Sequence, residues 1–91
     1  MSHILSFIIG YLAALDNDTN IDAIIKLIKI VENNEDVPIK HLIMLNLKTV
    51  ASMIGNRMSH DSISESLKEI INSLKVTENA FEKENSIKTE K

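Results

Sequence analysis

Ninety-one residues suffice for one small domain, in which folding buries a modest fraction of the surface and leaves a narrow margin of stability. The composition is 44% hydrophobic with two Phe, one Tyr and no Trp, so a core must be assembled from aliphatic side chains; the absence of cysteine excludes disulfides, thiol nucleophiles and cysteine metal sites. A net charge of −3 and a single arginine, Arg57, speak against a nucleic-acid module, which needs a cationic face to displace counterions from phosphates.

The first predicted element covers 2–15. Ile4, Leu5, Ile8, Ile9, Leu12 and Leu15 recur at helical spacing and form one apolar stripe. The apolar run from Ile4 to Leu15, relieved by Ser6 and Gly10, is far shorter than the roughly 20 residues of a membrane span. Its length and the Ala13-Ala14 pair suit a secretory signal, but the positively charged leader such signals carry is missing. The polar run Asp16-Asn17-Asp18-Thr19-Asn20 then ends the pattern, because short polar side chains compete for backbone hydrogen bonds and favour turns and caps.

A second helix is predicted over 21–33, capped by Asn20 or Thr19, with Ile21, Ile24, Ile25, Ile28 and Val31 as its apolar face. Asn33-Asn34-Glu35-Asp36 makes the next turn. Pro38 fits the first turn of a third helix, where its missing N–H costs nothing, and Gly55 is the expected stop of that helix, 38–54. Its apolar residues, Ile39, Leu42, Ile43, Met44, Leu45, Leu47, Val50, Ala51, Met53 and Ile54, cover more than one face, as expected of a central helix or one shared with another subunit. Ser62 and Glu65 have capping-box spacing at the head of a fourth helix, 62–75, with Ile63, Leu67, Ile70, Ile71 and Leu74 as its buried stripe. Beyond residue 76 charged residues dominate, with only Phe81 and Ile87 apolar and large, so 77–91 is expected to be a disordered tail. The expectation is an all-α bundle of about four helices in one domain, 1–76, followed by that tail.

Chemistry is sparse. Asp16, Asp18, Asn20 and Asp22 alternate like the opening of a calcium loop, but Ile21 stands where the turn glycine belongs and Leu27 where the closing glutamate belongs. His3, His41 and His60 share no spacing that pairs two on one helical face. No nucleophile elbow or phosphate-cradling glycine loop occurs, so neither an enzyme nor a cofactor is expected. Val50, Ala51, Gly55, Ile63 and Leu67 partly match a helix-turn-helix, yet the link is long and the second helix carries Glu65 and Glu69 against Lys68. Lys40, His41, Met44 and Lys48 on the third helix are the candidate partner-binding residues: two cations, an imidazole and the pliable thioether that adapts to varied partners.

The segment Leu5 to Glu32, LSFIIGYLAALDNDTNIDAIIKLIKIVE, resembles the small enterobacterial AriR/YmgB family of regulatory connector proteins. That family shares the order of a leucine-led helix, an Asp/Asn-rich turn and an I-I-x-x-L-I helix ending in glutamate. Ile24, Ile25, Leu27, Ile28 and Glu32 match, the apolar four as packing residues. The resemblance implies a small helical, dimeric regulator of biofilm or stress responses that acts on signalling or transcription proteins and has no active site. The fourth helix and the charged tail depart from that pattern, and no functional residue carries over.

Together these readings predict a cytoplasmic, non-catalytic regulatory or adaptor protein that works by protein–protein interaction as a homodimer. The alternatives are a helix-turn-helix DNA-binding regulator and a small secreted or membrane-associated helical protein.

Overall fold

In the computed structural model, residues 3–90 are described in backbone and 3–80 in side chain. Four helices follow one another: α1 His3–Asn17, α2 Ile21–Asn33, α3 Lys40–Gly55 and α4 His60–Glu90. The expected tail, with Phe81 and Ile87, lies outside the described side chains except for Thr77 to Ala80, which continue α4 beyond the predicted end at residue 75.

Each helix turns one narrow aliphatic stripe inward. Leu5, Ile8, Leu12 and Leu15 come from α1, Ile24, Leu27 and Val31 from α2, Ile43, Leu47 and Val50 from α3, and Ile63, Leu67, Ile70 and Leu74 from α4. Spacings of three and four residues bring all of these onto one side of their helix. Among the described residues no polar or charged residue is buried. On α2 the structure corrects the expected face: Leu27 is fully buried and Ile25 is 41% exposed. Ile24, Ile25, Leu27, Ile28, Ile30 and Val31 span more than half of the helix circumference, with Lys26 and Lys29 opposite, so periodicity alone leaves the centre of the stripe ambiguous by about one position.

The helices form a ring. α1 packs along α4 and α2 along α3, with smaller contacts of α1 with α2 and of α3 with α4, and among the described residues the backbones of the two diagonal pairs do not approach closely. The seam between first and last helix is tied at its edge by the Ser6 hydroxyl, which donates to the Glu78 carboxylate. On the other side of α1 the Tyr11 hydroxyl donates to the Ala23 carbonyl of α2 over 2.7 Å, and Phe7 lies tilted against Tyr11 with centroids 5.8 Å apart.

The connections explain where the helices start and stop. Asn20 caps α2, its side-chain oxygen accepting from the Asp22 amide at 2.8 Å. Pro38 lies outside α3, which begins at Lys40, and Ile39 is the N-cap in the left-handed region at φ 47°. Val37, only 7% exposed, is drawn into the core from this link, and the left-handed residue lets the chain swing from there into the axis of α3. A β-branched residue in that region is strained by about 1–2 kcal/mol.

α3 ends at Gly55, one residue beyond the expected 54, but Gly55 is itself helical and does not supply the left-handed turn. The left-handed C′ residue is Arg57, at φ 58°. Its amide donates to the Ile54 carbonyl and that of Met58 to the Met53 carbonyl, the pair of bonds that defines a Schellman motif. The capping box expected at Ser62 and Glu65 is displaced by three residues. Ser59 is the cap, its hydroxyl oxygen accepting from the Ser62 amide at 3.2 Å. The earlier start places Met58 just before the cap and Ile63 at the fourth helical position, the two places that a hydrophobic staple occupies.

These assignments have measurable consequences in thermal or denaturant unfolding. Ser59→Ala should destabilise the domain by about 1 kcal/mol, and Glu65→Ala should leave it nearly unchanged. Arg57→Gly should stabilise by about 1 kcal/mol by removing the left-handed penalty. Gly10→Ala should also stabilise, by roughly 0.5–1 kcal/mol, because Gly10 is helical and an added Cβ meets nothing within 4 Å. Leu12→Ala should cost about 2–5 kcal/mol.

Candidate functional site

With the inward arc of α3 fixed by Ile43, Leu47 and Val50, its remaining residues fall into place by helical geometry. Leu45 stands at the middle of the outward face and is 63% exposed. Leu42, three residues earlier and 50% exposed, lies beside it toward α4. His41 and Lys48 are exposed on the same outer surface, and Thr49 and Ser52 complete it. α3 contains no aspartate or glutamate, although the chain as a whole has 13 acidic residues. The outer face of α3 is therefore a pair of leucines bordered by an imidazole and an ammonium group.

The four residues singled out from the sequence share this helix but not one role. Lys40 is committed to the fold: its ammonium group donates to the carbonyls of Glu32 at 2.8 Å and Asn34 at 2.9 Å, satisfying the C-terminal end of α2 where the helix dipole favours a cation. Met44 is half-buried and packs against the core. His41 and Lys48 remain on the surface. In the sequence Leu42 and Leu45 belong to a broad apolar set, and their outward position becomes legible only once the inward arc is known.

The other sequence signals are dispersed or already occupied. In the alternating Asp/Asn run, Asn20 is engaged as the cap of α2, and Oδ1 of Asp16 is buried without a hydrogen-bond partner. No cluster of three metal-ligating side chains occurs among the described residues. His3, His41 and His60 sit on three different helices. A cleft of about 250 Å³ between α1 and α2 is lined by Tyr11, Ala14, Leu15, Asp18, Asn20 and Ala23; its volume falls short of the roughly 300–1,000 Å³ of most small-molecule sites.

Comparison with protein families, with curated proteins and with solved structures returns no match.

The link between α3 and α4, 56–59, is shorter than the sequence suggested and close to the turn of a helix-turn-helix. The exposed residues at the head of α4, however, are His60, Asp61, Glu65, Lys68 and Glu69. Three carboxylates against one lysine repel a phosphate backbone. The apolar first segment is a core helix of this fold, with Leu5, Ile8 and Leu12 wholly buried. No helix among the described residues is long and apolar enough to cross a membrane.

Lys40 and Lys48 can be separated by experiment. Lys40→Glu should destabilise the fold by about 1 kcal/mol, since it sets a carboxylate against the C-terminal carbonyls of α2. Lys48→Glu should leave the thermal midpoint within error of the parent. Equal loss from both would remove the capping role assigned to Lys40.

Proposed function

We propose that this chain is a small, non-catalytic regulatory or adaptor protein that acts by binding another protein through the outer face of α3. The observation that carries the reading is the adjacent exposure of Leu42 and Leu45 on a helix whose inward stripe is otherwise complete. Two large aliphatic side chains held on a rigid helix supply the apolar anchor of an interface, with polar residues around them as a rim. The resemblance of Leu5–Glu32 to the AriR/YmgB regulators agrees with this reading. A second copy of the chain competes for the same face, which is the dimer expected from the sequence.

Affinity purification with mass spectrometry, using the intact chain and a Leu42→Ser, Leu45→Ser variant, tests the proposal. Each substitution should weaken a complex about tenfold, as expected for losing the burial of most of a leucine, with circular dichroism unchanged. A specific protein recovered equally by both forms would overturn it. Analytical ultracentrifugation of the two forms addresses the second copy: a dimer that the double substitution turns into a monomer assigns the face to self-association.

A further inference from the structure

We infer that Met58 is a site of reversible oxidation by peroxide, placed so that its sulfoxide loosens the corner between α3 and α4. The inference goes beyond the binding reading above and does not depend on it. The chain has four methionines and no cysteine, so thioethers are its only sulfur. Met1 lies outside the described residues. Met44 and Met53 are half-buried and packed against the core, whereas Met58 is 45% exposed. The Met53 Sδ also accepts a hydrogen bond from the Ser66 hydroxyl at 3.4 Å, which engages a lone pair that an oxidant would attack. An oxidant must reach the sulfur, and Met58 is the most open of the three.

The position matters because one side chain serves two helix ends. Arg57 is the left-handed C′ residue of α3, and the Met58 amide donates to the Met53 carbonyl over 3.1 Å. Met58 is therefore the C″ residue, where an apolar side chain covers the last turn at Met53. Ser59 caps α4, so the same Met58 is the residue before the cap, the partner position of Ile63, which is only 4% exposed. Two capping motifs each call for an apolar residue, and here they share one.

The chemistry is an oxygen-atom transfer. The thioether sulfur attacks one oxygen of hydrogen peroxide, and the O–O bond breaks as the S–O bond forms. The proton on the transferred oxygen passes to the departing one, which leaves as water. Sulfur is oxidised by two electrons and peroxide is reduced by two. The sulfoxide is polar, and methionine sulfoxide reductases return it to the thioether. A polar group at this position turns toward water and leaves both helix ends without their apolar cover. The corner bonds from the amides of Arg57 to Ile54, Met58 to Met53 and Ile63 to Ser59 then open more often.

The test treats the full chain with graded hydrogen peroxide, follows each methionine by peptide mass spectrometry and reads amide exchange by NMR on the same samples. Met58 should be converted at doses that leave Met44 and Met53 as thioethers. In that singly oxidised protein the amides of Arg57, Met58 and Ile63 should exchange a few-fold to about tenfold faster, with those of α1 and α2 unchanged, and reductase treatment should restore the original rates. Met58→Leu, which keeps the apolar cover, should exchange like the parent and ignore the same dose of peroxide. Met58→Gln, a neutral polar stand-in for the sulfoxide, should exchange fast without peroxide. Oxidation of Met44 or Met53 at the same dose, or a Met58 sulfoxide whose corner exchanges like the parent, would overturn the inference.

Discussion

The docking of the first helix on the last is the constraint on which the rest of this small structure depends. α2 and α3 are neighbours in sequence and can pair locally, but two helices cannot enclose the stripes they turn inward. Enclosure comes when α1 closes against α4. Leu5, Ile8 and Leu12 then lose all exposure together with Leu67, while Leu74 keeps almost none. With no buried polar residue among those described, the core has little directional specificity of its own. Register falls to features at its edge, chiefly the Tyr11 bond to Ala23, the Ser6 bond to Glu78 and the caps.

The functional reading follows from the same economy. Ile43, Leu47 and Val50 already complete the contribution of α3 to the ring, so Leu42 and Leu45 are surplus to it. An exposed leucine alone is ordinary on a protein surface. Two leucines side by side on the outer side of one helix form the apolar patch on which the proposed partner contact rests. The strained Ile39 and the Lys40 bridge to the end of α2 fix where that helix begins, and so fix how the face is presented.

Much of the fold is legible in the sequence. The boundaries of α2 follow from a polar turn on each side of a strongly amphipathic run, and the inward stripes of α1 and α4 follow from spacing alone. The misses have local causes. The start of α3 depends on a left-handed isoleucine, which no propensity favours, and its end depends on an arginine in the place glycine usually takes. Ser59 and Ser62 both have a polar residue three positions on, so capping chemistry does not choose between them; the placement of Ile63 relative to Met58 does. For the candidate site, the sequence identifies the helix but not the side. The apolar residues of α3 span too wide an arc for periodicity to say which ones the core takes, and Met44 goes partly inward while Leu45 goes out.

The ring also bears on the order of events during synthesis. A helix whose partner lies at the far end of the chain cannot be sheltered as it leaves the ribosome. α1, with its nearly uncharged face, must wait while some 50 further residues are made, a matter of several seconds at roughly 5–20 residues per second. During that interval the α2–α3 hairpin is the local structure able to form, and α1 is left as a sticky leading segment in search of cover. The long sequence separation between α1 and α4 makes closure of the bundle late and concerted, so a nascent chain of this protein is exposed to chaperones and to its own neighbours until α4 emerges.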